Sequence, residues 1–413
     1  MMPAKESIVD ALVGINGYRV VTISFNSDLK TAQVLIEPEE PHTGICSGCF
    51  RRVGPIKDRE LQTIRDVPAF SWKVELLFDR RRVICPHCGV RTELLPFADM
   101  RSRFTHRFED QIFIDAVRHS ASEAARRHDI SWAQASLVEK KQLERYNEQR
   151  GPLAGIRWLG VDEICTGRRH TVQTIITDLE TRSVIGIVDG HHTEALNAFY
   201  RLAGPVFCAG VEVVVMDMWK AFKASTKTFC LKALIVHDKF HIIRHLNDAV
   251  DEVRRSEFFR KGKEGREAIR GKRWLLLRRW FNLDGGQKGL LKELLRMNKK
   301  LAVAYQLKEM FGKLWDYTSR TWAIKFLKQW ESQLRWQRLT PFKKFLKMIY
   351  NNLEGILNYC EVKVPLGAVE AINGKIKLII RKARGFIDKR HAALKIMFLT
   401  DPSAELYLKR FHT

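Results

Sequence analysis

Asp162, in Ile156-Arg-Trp-Leu-Gly-Val-Asp-Glu-Ile164, and Asp217, in Val211-Glu-Val-Val-Val-Met-Asp-Met-Trp219, each end an apolar, strand-like run. Burying an unpaired carboxylate is costly, so two of them on two strands suggest a divalent metal held between them. A third carboxylate would complete a two-metal phosphoryl-transfer site. Each aspartate also has a plainer reading as the cap of the next turn or helix. For Asp217 that helix would begin near Trp219-Lys220. Glu370 is the candidate third ligand. It lies in Ala368-Val-Glu-Ala-Ile-Asn-Gly-Lys, ahead of Lys375, Lys377, Arg381, Lys382 and Arg384 on one predicted helix. Such a helix offers one carboxylate to metal and cations to phosphates; the alternative is an exposed glutamate on a basic face.

Two further residues belong near these carboxylates. His241, in Asp238-Lys-Phe-His, could orient a phosphate or buttress the metal, or be a helix-start histidine with a satisfied hydrogen bond. Trp219 could stack on an unpaired base, or be a core residue of the first helical turn.

A second constellation is Cys46-Ser-Gly-Cys49, 35 intervening residues, then Cys85-Pro-His-Cys88. Each pair can turn two thiolates toward one ion, and two pairs complete a closed tetrahedral zinc site that is structural. Four unrelated buried cysteines are the alternative; paired Cys-x-x-Cys units argue against it. His42 and His87 are minor substitute ligands, and Cys165, Cys208, Cys230 and Cys360 read as core.

The elements that must position these residues follow from periodicity. Residues 18–38 read as a strand pair and 72–78 as a strand. Helices are expected over 108–120 and 122–127, with a third N-capped by Ser131 and running toward Tyr146. That spacing suits a helix-turn-helix, with Arg126, Arg127, Gln134, Ser136, Lys140 and Lys141 as candidate DNA contacts; a helical linker with solvated charges is the alternative. Then come strands at 156–164, 170–178 and 183–189, a helix at 193–203, a strand at 211–217, a helix at 219–229, a strand at 232–237 and a helix at 239–260. This is a mixed sheet with packed helices, in the order of ribonuclease H-like folds. From 262 to 361 only helical spacing is found, and a last helix is expected over 368–384.

The fold class is therefore multidomain α/β. A zinc-binding domain at 1–100 and a helix-turn-helix segment at 101–150 precede a ribonuclease H-like mixed-sheet core. The core spans 151–261, is interrupted by an all-helical insertion at 262–361, and resumes at 362–413 with Glu370.

The chain has 413 residues with 71 Lys plus Arg against 47 Asp plus Glu, a formal charge of +24. That excess favours a polyanion, nucleic acid first. No apolar stretch reaches the roughly 18 to 20 residues of a membrane span, and Met-Met-Pro-Ala-Lys-Glu-Ser does not read as a secretion signal. A cytoplasmic protein with no membrane partner is expected, with thiols or metal ligands rather than disulfides.

Taken together, the motifs resemble a bacterial insertion-sequence transposase of the ISL3 class. They are the two Cys-x-x-Cys units with Arg80-Arg81-Arg82-Val-Ile between them, Gly160-Val-Asp162-Glu163, Met216-Asp217-Met-Trp219, Asp238-Lys-Phe-His241, Trp274-Leu-Leu-Leu, Glu370-Ala-Ile-Asn-Gly-Lys-Ile-Lys and Arg381-Lys-Ala-Arg-Gly-Phe386. The resemblance covers nearly the whole chain. It implies a DDE core with Asp162, Asp217 and Glu370 as catalytic residues holding two Mg²⁺ or Mn²⁺ ions. It also implies binding of terminal inverted repeats, strand cleavage and strand transfer into target DNA, and a homodimer or larger synaptic complex beside the nucleoid. A catalytically silent, transposase-derived regulator is the alternative function.

Overall fold

The computed structural model describes residues 10, 13–151, 153–165, 172–260, 262–365, 367–383, 386 and 388–411. The chain divides into two compact units, Met1–Asn147 with Ser403–Thr413, and Glu148–Pro402.

The first unit is built on a sheet. Strands β1 (Tyr18–Asn26) and β2 (Thr31–Pro38) form the expected antiparallel pair. Two-residue strands β3 (Gly44–Ile45) and β4 (Arg52–Val53) frame the first cysteine pair. Strands β5 (Ile56–Ala69) and β6 (Trp72–Cys85) form a long ribbon, and β7 (Gly89–Thr92) pairs with the end of β6. The sheet order is β1-β2-β6-β5. Its core is Val34, Ile36, Ile64, Leu76, Phe78 and Phe97. The predicted strand at 72–78 is thus half of β6, and β5 had no counterpart in the sequence reading.

Three helices follow: α1 (His106–Arg118), α2 (Ala121–His128) and α3 (Trp132–Gln149). Each starts on a hydroxyl cap. Thr105 Oγ1 accepts from Phe108 N, Ser120 Oγ from Glu123 N, and Ser131 Oγ from Gln134 N. Such caps satisfy amide groups that the first turn leaves free. Asp129, in the left-handed region at φ 49°, ends α2.

The second unit centres on a sheet of order β10-β9-β8-β11-β12. Its strands are β8 (Trp158–Cys165), β9 (Val172–Asp178), β10 (Ser183–Asp189), β11 (Val213–Met216) and β12 (Leu234–His237). β8, β9 and β10 are antiparallel neighbours, whereas β11 is parallel to both β8 and β12. Helices α4 (Thr193–Gly210) and α5 (Lys220–Phe229) provide the crossovers. α4 runs past the expected end at 203 and kinks at Gly204-Pro205, as proline requires. Leu159, Val161, Val214 and Met216 pack with Leu196, Phe199 and Phe222 on that face.

From β12 the chain enters α6 (Lys239–Arg260), and the region to Glu361 is helical, as expected. Its helices are α7 (Lys263–Ile269), α8 (Arg273–Leu277), α9 (Gly285–Met297), α10 (Lys299–Phe311), α11 (Arg320–Arg335), α12 (Thr340–Asn351) and α13 (Leu353–Glu361). Ile242, Leu246, Val250 and Val253 form the buried stripe of α6 against Phe311, Trp330 and Phe342. Two helices then return to the sheet: α14 (Gly367–Lys382) and α15 (Lys389–Thr400). Ile372, Ile376 and Ile379 of α14 pack on Ile164, Ile175 and Val184, on the sheet face opposite α4.

Gly160 permits this approach. A Cβ there would lie 2.5 Å from Thr177 Oγ1, 2.9 Å from Leu179 and 3.1 Å from Val369 of α14. Gly160→Ala should therefore cost about 1–3 kcal/mol, the usual cost of overpacking a core, read as a lower urea midpoint. No helix of the described residues is long and apolar enough to cross a membrane.

Candidate functional site

The cysteines are brought together as expected. The Sγ atoms of Cys46, Cys49, Cys85 and Cys88 all lie within 4.8 Å of one another, the one such group of metal-ligating side chains among the described residues. Cys49 and Cys85 Sγ are 3.6 Å apart, and Gly48 N donates to Cys46 Sγ at 3.4 Å. Burial opposes a Cys85 thiolate, but amide donors at His87 and Cys88 outweigh it and hold the thiol down at about 6. Four thiols converging on amide donors suit a tetrahedral cation, and the donor set fits structural zinc. His87 is instead engaged by Arg51 Nη1 at 3.1 Å. Cys208, Cys230 and Cys360 are buried in the core; the side chain of Cys165 lies outside the described residues.

On the second sheet, strand register aligns three aspartates. Met216 pairs with Val161 on one side and His237 on the other. Asp217 and Asp238 stand one position further on, just past the ends of β11 and β12, and Asp162 stands level with them inside β8, which runs on to Cys165. Side chains alternate across a sheet, and Leu159 and Val161 face α4 and α5. Gly160, Asp162 and Ile164 therefore share the α14 face. Asp217 and Asp238 have the same parity relative to Val215 and Val236, which pack with Val369.

Asp162 Oδ1 accepts from Glu163 N at 2.8 Å, and its Oδ2 accepts from Asn373 Nδ2 of α14. Burial raises the Asp162 pKa above the usual carboxylate range; Asp238 adds to the rise, while the Glu163 amide, His241 and Asn373 oppose it. Asp217 Oδ1 accepts from Met218 N at 2.5 Å, but the next helix is N-capped by Trp219 without a side-chain bond, so Asp217 is not its cap. Asp238 is 6% exposed and accepts from Phe240 N at 2.9 Å. His241 Nδ1 lies 3.2 Å from Asp238 Oδ2. That hydrogen bond raises the imidazole pKa, and Asp217 and Asp162 reinforce it. Burial, with Asp162 and Asp217, likewise raises the Glu163 carboxyl. The edge thus gathers several carboxylates, an oxygen-rich donor set of the type that suits a hard divalent ion.

Glu370 is on the expected helix, exposed in the first turn of α14. Asp162, Asp217 and Glu370 do not all lie within ligand spacing of one another, nor do Asp162, Asp217 and Asp238. Residues three apart share a helix face, however, and Asn373, three residues on, touches Asp162. Lys375, Lys377 and Arg381 are exposed on the same helix; Arg384 lies outside the described residues. Trp219 is 45% exposed, which excludes the core reading; its Nε1 donates to His191 O at 2.8 Å, and it packs against the His191 ring. Asp238 and Asn373 were missed as site residues. The signal available for Asp238 was its place after an apolar strand, the same signal that marked Asp162 and Asp217.

The helix-turn-helix cations are largely spoken for. Arg126 pairs with Glu123 at 2.7 Å, and Arg127 with Asp115 at 2.8 Å and Glu123 at 3.1 Å. Gln134 closes a capping box with Ser131, and Lys141 binds Glu109. Ser136 and Lys140 are half-buried. The exposed face of α3 instead presents Trp132 and Leu137.

Comparison with known proteins agrees with these centres. A family profile described as a transposase matches residues 159–396. The helix-turn-helix domain of transposase family ISL3 matches 93–136, and the zinc-finger of transposase IS204/IS1001/IS1096/IS1165 matches 42–88. The transposase for insertion sequence element IS1001 of Bordetella parapertussis is 28% identical over 396 residues, covering 95% of this chain and 97% of that protein. The transposase for insertion sequence element IS1557 of Mycobacterium tuberculosis is 23% identical over 407 residues, covering 91% of each. With zinc ribbon, helix-turn-helix and a transposase domain spanning more than half its length, the chain belongs to the ISL3 family of DDE transposases.

Proposed function

We propose that the protein binds the terminal inverted repeats of its element and catalyses metal-dependent cleavage and transfer of DNA strands, with Asp162, Asp217 and Glu370 as the catalytic carboxylates. The observation that carries this reading is the aspartate row on one sheet edge, joined to the helix of Glu370 through Asn373. The sheet order, with three antiparallel strands followed by two parallel ones, supports a ribonuclease H-like core.

Two Mg²⁺ or Mn²⁺ ions, when bound, would supply Lewis-acid activation of the attacking oxygen and charge relief at the leaving one. The residues do the rest. Asp162, Asp217 and Glu370 offer carboxylate oxygens. Asn373 fixes the Asp162 carboxylate, and Asp238 fixes His241 at the acidic edge. Trp219, at the rim, is placed for stacking on a splayed base. Lys375, Lys377 and Arg381 offer charge to the DNA backbone. On α3, Trp132 and Leu137 suit apolar contact with thymine methyl groups in a major groove. Holding two element ends at once calls for a homodimer or larger complex, and action on the chromosome for a cytoplasmic, nucleoid-associated protein.

Asn373→Ala should lower the cleavage rate roughly 10- to 100-fold, the range for losing a partner that orients a metal ligand, with end binding unchanged. Rate and gel-shift measurements on one duplex separate the two effects. The lack of mutual ligand spacing among Asp162, Asp217 and Glu370 favours a second reading, a silent DNA-binding regulator. Incubation with Mg²⁺ and duplexes carrying either the element ends or scrambled ends decides. Cleavage confined to the true ends supports the transposase; binding without cleavage in Mg²⁺ and Mn²⁺ supports the regulator.

A further inference from the structure

The first unit carries a cleft of about 500 Å³ on the β5–β6 ribbon, closed on one side by the loop at Met100-Arg101. Arg59, Arg80, Arg82 and Arg101 line it, with Asp58 and Glu60. Asp58 is neutralised by Arg82, with Arg82 Nε at 2.7 Å from Oδ1; Glu60, across the ribbon from Arg80, accepts only from the neutral Gln62 amide and keeps its charge, so the cations still outnumber the acids. Arg59 donates to the Pro41 carbonyl at 2.9 Å, which leaves its charge uncompensated. Arg80 and Arg101 have no ion-pair partner among the described residues, whereas Arg126, Arg127 and Lys141 of the helix-turn-helix are paired with acids.

Position adds to charge. Arg80 and Arg82 are two apart on β6 and so share a face of the ribbon. Arg101 projects from the facing loop at φ 66°. The same loop residues, Met100 and Arg101, also wall a groove of about 640 Å³ against Ala133, Gln134 and Leu137 of α3. Cleft and groove thus share the Met100-Arg101 loop as a common wall, and the groove reaches Leu137 of α3. Guanidinium groups match phosphate geometry, and phosphate contacts fix register while base contacts specify sequence.

We propose that this arginine cleft is a backbone clamp for duplex DNA, gripping phosphates that flank the bases met by α3. The proposal rests on the DNA-binding reading above and relocates its main cationic contact from Arg126 and Arg127 to Arg80 and Arg101.

The test is fluorescence anisotropy of the full-length zinc-loaded protein with a labelled duplex of the element end and a scrambled duplex, across NaCl concentrations. Arg80→Ala/Arg101→Ala should weaken both duplexes about tenfold or more. It should also lower the slope of log affinity against log salt by about 1.8, at about 0.9 per phosphate contact. Arg126→Ala/Arg127→Ala should change neither slope nor affinity more than about twofold. Arg101→Glu, a single change on an exposed loop, should reproduce most of the loss with zinc content intact, which separates the effect from misfolding. Wild-type affinity and slope in both cleft variants would overturn the clamp while leaving the transposase reading in place. A wild-type protein that fails to bind duplex DNA overturns both.

Discussion

Asp162→Ala and Asp217→Ala should each reduce strand cleavage by roughly a thousandfold or more, about 4 kcal/mol of barrier at 1.36 kcal/mol per decade, while DNA binding is kept. Both residues stand in the second compact unit, whereas the helix-turn-helix and the cysteine site belong to the first. The accompanying stability change has a defined sign. Burial raises the folded-state pKa of Asp162, so at neutral pH its ionised form costs the fold free energy. That cost is absent once pH falls below the normal carboxylate range and grows as pH rises through the raised value. Asp162→Asn should therefore melt no lower than wild type at pH 7 while losing activity, the stability–activity trade expected of a metal ligand. A variant that is both inactive and markedly destabilised would point to a structural aspartate.

Cys85→Ser, or Cys49→Ser, should abolish zinc binding and disorder the ribbon around residues 42–55. The reason is the size of the local core. Apart from the four cysteines, only Val83, Val53 and Ile56 cluster there, and β3 and β4 are two residues each. Structural zinc supplies on the order of 10–16 kcal/mol in small zinc-finger peptides, far more than a few partly buried valines can. Metal content should fall from one ion per chain to none, and proteolysis should open Gly44–Pro55. Cys360→Ala, in the helical core of the second unit, should retain its zinc. Full zinc content in Cys85→Ser would contradict the assignment.

The two constellations were legible to different depths because they rest on different information. Cys-x-x-Cys spacing is local, and the knuckles formed as expected. Asp162 and Asp217 could be found from the apolar runs that precede them, but their alignment with Asp238 depends on strand register, which spans residues far apart in sequence. Asn373 on Asp162 is likewise a long-range contact. Ribbon strand β5 escaped notice because half of it is exposed and Lys57-Asp-Arg-Glu60 shows no apolar alternation. For the candidate DNA contacts Arg126 and Arg127, the pairing with Glu123, three and four residues back, was readable from helical spacing, whereas that of Arg127 with Asp115, one helix away, was not. Glu370 lay on the expected helix, but whether a helix closes on a sheet edge is set by packing and charge, not by periodicity.

The central claim is that Asp162, Asp217 and Glu370 together drive metal-dependent breakage and joining of DNA. The direct measurement is product mapping on a sequencing gel after incubating the protein with its element ends, target DNA and Mg²⁺. Nicks at the element termini and joined product are expected, both absent in Asp162→Ala/Asp217→Ala/Glu370→Ala with end binding retained. Equal product from that triple variant, or bound ends left intact by the wild type in both Mg²⁺ and Mn²⁺, would contradict it.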